Sequence, residues 1–251
     1  MPPSRSDLVQ PTEPPLPAET VRLPARGFAI DRAKALAVAL VCWVGWGIMI
    51  WAVLHQRTGA IDTAGLMWFR TGPDFGARGG GAVTEAVRDM TALGGVFLST
   101  LATIAAVTAL LFLKLRREAV LFALTVALGW ALNNTMKALI GRERPSLVPH
   151  LTDATGMSFP SGHSFASAMI YIGMALAFAT LSQRHSVRAT LILVAMIGSA
   201  LIAWSRVLLG VHYPSDVIAG WLGGAAWAFA ANALLYRPAR AAADGGAPPA
   251  V

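Results

Sequence analysis

The sequence predicts an all-α, polytopic membrane protein: a bundle of six transmembrane helices. Of its 251 residues, 55% are apolar and only 13% are charged, about half the ~25% charged share of ordinary soluble domains. Mean hydropathy is +0.58. Apolar runs recur at the length of about 20 residues needed to cross a hydrocarbon core, and most charges fall between them. The net charge of +7 comes without a basic stripe interleaved with aromatics. Arginines flanking membrane spans account for it, and nucleic acid is not an expected partner.

Taken in order, residues 1–30 are rich in proline and poor in large apolar side chains, which predicts a disordered cytoplasmic tail. They carry neither a secretory signal pattern nor a lipidation motif. The first span, near 35–55, runs from Ala35 to Leu54 without a charge and holds the single cysteine, Cys42, so no intramolecular disulfide is possible. The connection 56–94 contains Trp68-Phe69-Arg70 and the segment Val83–Leu93, in which Glu85, Arg88 and Asp89 alternate with apolar residues. It reads as an interfacial amphipathic helix or as a polar loop. Further spans are expected near 95–113, 119–139, 163–182, 189–209 and 215–235. The third ends in Asn133, Asn134 and Lys137, polar groups that lipid disfavours. Residues 31–236 form one six-span domain, and the Ala-, Gly- and Pro-rich stretch 237–251 is a second disordered tail.

Lysine and arginine set the orientation. With six spans both termini share a face. That face collects twelve basic residues, from the N-terminal tail, Lys114–Arg117, Arg184, Arg188, Arg237 and Arg240. The opposite face has eight: Arg57, Arg70, Arg78, Arg88, Lys137, Arg142, Arg144 and Arg206. Both termini are therefore expected in the cytoplasm. Three polar segments, at the end of span three, the start of span four and the junction of spans five and six, then share the extracytoplasmic side.

The first segment is Lys137-Ala-Leu-Ile-Gly-Arg-Glu-Arg144-Pro145. A spacing of seven residues is two helical turns, so Lys137 and Arg144 share a face if the helix continues, with Pro145 ending it. Alone, it also fits a snorkelling lysine and a loop arginine. The second is Pro160-Ser161-Gly162-His163, where span four begins. A helix N-terminus offers unpaired N–H groups to an anion. Ser161 adds a hydroxyl, Gly162 lets the backbone approach a phosphate closely, and His163 can deliver a proton to a departing oxygen. The third is Ser205-Arg206-Val-Leu-Leu-Gly-Val-His212-Tyr-Pro-Ser-Asp216. Gly210 loosens the end of span five, and Pro214 suits the first turn of span six. Asp216, four residues after His212, can hold one ring nitrogen and leave the other free to attack. Arg206 supplies a planar fork for phosphate oxygens. Three cations, two histidines and one carboxylate suit phosphoryl transfer, which is mostly positioning and charge stabilisation.

Lys-x6-Arg-Pro, Pro-Ser-Gly-His and Ser-Arg-x5-His-x3-Asp resemble, at every position, the three-part signature of the type 2 phosphatidic acid phosphatase superfamily. The resemblance covers about 137–216 by motif, and the six-span layout extends it over most of the chain. It implies a metal-independent membrane phosphatase acting on a lipid phosphate, phosphatidate-like or undecaprenyl diphosphate. His212 would be the nucleophile that becomes phosphohistidine, oriented by Asp216, and His163 the acid for the leaving group. Lys137, Arg144, Ser161, Gly162 and Arg206 would hold the phosphate. No cofactor or metal is implied, the partners being the lipid substrate and the surrounding membrane lipids. The oligomeric state is not encoded in these motifs. A lipid phosphotransferase would use the same phosphohistidine with another acceptor. A non-catalytic transporter or scaffold is disfavoured by the intact motifs, and the soluble vanadate-dependent haloperoxidases, similar in motif, by the six spans.

Overall fold

A computed structural model describes residues 30–235. Its helices are α1 (Arg32–Leu54), α2 (Gly59–Trp68), α3 (Gly80–Ala92), α4 (Val96–Phe112), α5 (Arg116–Ile140), α6 (Gly162–Ala179), α7 (His185–Leu208) and α8 (Pro214–Leu235). The proline-rich tail (all but Ile30) and the C-terminal tail lie outside the described residues.

Helices α1, α5, α6, α7 and α8 are each long and apolar enough to cross a membrane. The remaining span is broken. Helix α4 has 17 residues, about 25 Å at 1.5 Å per residue, short of the ~30 Å hydrocarbon core. It continues α3 across a bend of 44°, where Leu93, Gly94 and Gly95 turn the chain. The segment read as either an amphipathic helix or a loop is thus helical, and it leads directly into the second span. Large apolar side chains project from the outer faces of the bundle, among them Val41, Trp51, Phe97, Phe112 and Val194. The chain is an integral membrane protein.

Small residues make the centre. Helix α8 buries Gly220, Gly223, Gly224 and a series of alanines, which lets neighbouring backbones approach closely, as helices do where lipid gives no hydrophobic drive to associate. A Cβ on Gly220 would lie 2.5 Å from the carbonyl oxygen of Ser161, and one on Gly224 would collide with that of Phe165. The N-terminal half of α6 therefore lies backbone against backbone on α8. Ser161 N–H also donates to the Asp216 carbonyl at 3.1 Å. A π-helical turn at Ala168–Ile172 interrupts α6, and within it Tyr171 donates to Leu93 O at 2.6 Å, tying mid-α6 to the α3–α4 bend.

Two local features depart from the sequence expectation. Helix α5 does not extend to Pro145. It stops at Ile140, and Gly141 takes the left-handed conformation with φ 62°, the usual glycine stop. Arg144 is consequently a loop residue. A two-stranded ribbon, Arg70–Thr71 paired with Gly76–Ala77, was not foreseen. Arg70 anchors it by donating to Leu208 O at 2.7 Å and Pro149 O at 3.4 Å, a cation at the C-terminus of α7.

Candidate active site

Helices in a bundle alternate in direction, so the end of α5, the start of α6, the end of α7 and the start of α8 meet at one end. All eight residues singled out from the sequence are there. The tightest group is His212, Asp216 and Arg144. His212 Nδ1 lies 3.5 Å from Asp216 Oδ2, and Ser158 Oγ sits between them, 3.2 Å from Nδ1 and 2.5 Å from Oδ2. On the other side of the ring, Arg144 Nη1 is 3.1 Å from Nε2.

These contacts assign the tautomer. Arginine only donates, so Nε2 carries a lone pair and Nδ1 carries the proton. That proton goes to Ser158 Oγ, whose own proton goes to the carboxylate. Burial pushes His212 down to about 4, with Arg144 and Arg206 adding to the effect against the hydrogen bond and charge of Asp216. At neutral pH the ring is therefore uncharged and its Nε2 lone pair is available.

Asp216 is fully buried and accepts further bonds from Tyr213 N–H at 2.9 Å and Arg142 Nη1 at 2.5 Å. Arg142 is shared: its Nη2 reaches Asp62 Oδ2 at 2.7 Å, and its guanidinium lies 4.2 Å over the Tyr213 ring. Asp62, on α2, in turn accepts from Ser215 N–H at 2.9 Å and Ser215 Oγ at 2.8 Å. Burial works against the charge of Arg142, but Asp216 and Asp62 outweigh it and hold the group above the ordinary arginine range. Sequence reading passed over Arg142, Asp62 and Ser158. One signal was present: Asp62 is the sole charged residue of a ten-residue helix.

The cations predicted from the motifs are engaged with groups of the protein itself. Lys137 Nζ donates to Met157 O at 2.8 Å. Arg144 also donates to Thr155 O, Gly156 O and Val211 O at 2.7–3.0 Å, and burial pulls it below its ordinary range. Arg206, almost fully buried, donates from Nη1 to Thr91 Oγ1 at 3.0 Å, while its Nε has no partner among the described residues. Ser161 precedes α6 without capping it through its side chain, and its hydroxyl accepts from Ser164 at 2.9 Å. His163 begins α6 within reach of the charges of Arg206, Arg144 and Lys137 and of the His212 ring. The α3–α4 bend covers it: a Cβ on Gly95 would stand 3.7 Å from His163 Nε2. The arrangement gathers a neutral, oriented imidazole, a second histidine and three cations around the first turn of a helix. Chemically, that suits nucleophilic attack on a phosphate.

Residues 118–240 match the family model of the PAP2 superfamily. Among curated proteins, the chain is 38% identical to a lipid A 1-phosphatase of Rhizobium etli over 45% of this chain and 47% of the relative. It is 32% identical to an undecaprenyl-diphosphatase of Sulfolobus acidocaldarius over 47% and 56%. The chain thus spans about half the length of the curated relatives it matches. Among solved structures, a transmembrane PAP2-type phosphatidylglycerolphosphate phosphatase from Bacillus subtilis superposes with a TM-score of 0.63 over 79% of this chain and 94% of that one, at 24% identity. The likeness to that structure is one of fold.

Proposed function

Because this chain belongs to the PAP2 superfamily through residues 118–240, we propose that it is a membrane phosphatase that hydrolyses the terminal phosphate of a lipid monoester or diphosphate. The relatives act, by name, on lipid A and undecaprenyl diphosphate, and the shared chemistry is a phosphate carried by a membrane lipid. The observation that carries the reading is the His212 ring, with Nδ1 committed to Ser158 and Asp216 and Nε2 facing Arg144.

His212 Nε2 attacks phosphorus as the P–O bond to the lipid breaks in line. His163, protonated in the substrate complex, gives its proton to the departing oxygen. The product is phosphohistidine and a lipid alcohol or lipid phosphate. Water then attacks, its proton passes to His163, the P–N bond breaks and inorganic phosphate leaves. Arg144, Arg206 and Lys137 exchange carbonyl and hydroxyl partners for phosphate oxygens, offsetting the charge that opposes the nucleophile. Ser161 and the N–H groups at Gly162 supply neutral donors.

Sidedness follows from charge. Of the basic residues expected on the motif side, Arg70 and Arg142 are held inside the protein. With the three motif cations also set aside, Arg57, Arg78 and Arg88 remain, against twelve on the terminal side. The site accordingly faces the extracytoplasmic side.

The test is phosphate release by purified protein in detergent and EDTA, from phosphatidate, phosphatidylglycerol phosphate and undecaprenyl diphosphate, beside His212→Ala. Release by the wild type alone supports the reading and ranks the lipids. Equal release by the variant would sink it, as would turnover that EDTA abolishes and a divalent metal restores.

A further inference from the structure

Asn133 is a buried amide that the fold leaves without a use. It lies on α5 one turn before Lys137, hence on the same face of that helix. Its residue exposure is 1%, and neither Nδ2 nor Oδ1 has a hydrogen-bond partner among the described residues. Buried polar groups are nearly always paired, and an unpaired one demands a reason. Here both halves of a single amide are unpaired, directly beside a cluster of groups able to bind an anion.

Its position supplies the reason. A Cβ on Gly162 would stand 3.6 Å from Asn133 Nδ2 and 3.8 Å from Lys137 Cε. The amide and the lysine stem therefore lie side by side over a residue with no side chain. Gly162 opens α6, whose first internal bond is Phe165 N–H to Ser161 O. The N–H groups ahead of Phe165 thus lie in the turn whose donors have no intrahelical acceptor. Arg206 Nε, the second orphaned donor of this region, belongs to a guanidinium whose charge reaches His163, the neighbour of Gly162.

We propose that Asn133 is a phosphate-binding residue: its Nδ2–H donates to an oxygen of the substrate phosphate seated at Gly162, beside Lys137. This rests on the reading of the site as a phosphatase centre and adds a ligand outside the three motifs. A neutral amide contributes a directed donor without a further positive charge. In a site already holding three cations, another charge would add repulsion among them.

The experiment uses the purified full chain in detergent, with inorganic phosphate and orthovanadate as probes. Thermal unfolding is followed with and without each anion for the wild type, Asn133→Leu and Asn133→Asp. Leucine removes two unpartnered polar atoms at similar volume, so the anion-free midpoint should hold or rise. Anion binding, read from the midpoint shift against concentration, should weaken about tenfold or more, as for loss of a hydrogen bond to a charged group. Aspartate should weaken it further by setting a carboxylate against the anion. A lower anion-free midpoint in the leucine variant with an undiminished anion response would assign the amide to a structural water and overturn the proposal. So would a full response in the aspartate variant, which covers the case of a leucine variant that fails to fold. A wild type that ignores both anions would overturn the phosphatase reading itself along with the proposal.

Discussion

At the scale of residues, the centre of the site is a carboxylate with more partners than a histidine needs. Asp216 serves Ser158, Arg142 and Tyr213 N–H besides His212, so its oxygens are fixed before the imidazole is considered. Ser158→Ala breaks the link between Nδ1 and Oδ2. Leaving a buried N–H unpaired costs about 1–3 kcal/mol, and kcat is expected to fall about tenfold to a hundredfold with modest change in KM, measured by phosphate release. Arg142→Ala leaves Asp62 and Asp216 buried near each other without their shared cation. A loss of about 3–5 kcal/mol is expected, read as a lowered unfolding midpoint, and Asp62→Asn in the same chain should recover part of it. The pH dependence has a defined sign. A histidine held near 4 stays neutral as pH falls through 6.5 and loses its lone pair only below that. The acid limb of kcat/KM, corrected for the substrate's own ionisation, should therefore lie well under 6. A limb at the ordinary histidine value would contradict the burial and the Arg144 contact.

At the scale of elements, each motif is delivered by a helix end, and glycines decide how closely those ends approach. Gly224→Val places a Cβ where the Phe165 carbonyl oxygen stands. Overpacking of a tight core costs about 1–3 kcal/mol, sometimes more, and here the opposing atom is backbone and cannot rotate away. The variant should lose thermal stability and activity together, because α6 carries Ser161, Gly162 and His163. The length of the apolar runs located the long helices, since a span must be apolar throughout its length. It did not locate the end of α5, where the seven-residue spacing of Lys137 and Arg144 suggested two more turns. The left-handed Gly141 ends the helix early, and Arg144 reaches the site through a loop held by its own bonds to Thr155 O and Gly156 O. The ribbon at Arg70 was illegible because two-residue strands have no period to detect.

At the scale of the whole molecule, the bundle separates a lipid-facing shell from a polar end. Topology is open to direct measurement. With Cys42 replaced by alanine, Asp74→Cys lies beside the ribbon on the motif side, and Gln183→Cys in the connection between α6 and α7 on the other. An impermeant maleimide added to intact cells should label the first and spare the second. The reverse pattern would place the site in the cytoplasm.

The sequence by itself determined the solvent of this protein, the approximate place of its spans and the identity of its three motifs. Those features are local: an apolar run of span length must leave water wherever it occurs, and a helix end exposes its N–H groups whatever surrounds it. Only the tertiary structure decided that Arg142 is shared between Asp216 and an aspartate eighty positions earlier in the chain, that Ser158 bridges His212 to its carboxylate, and that the Asn133 amide stands unpaired against Gly162. Each of these depends on which buried polar group finds a partner across the bundle. Charge burial is a property of neighbours in space, and no spacing along the chain records it.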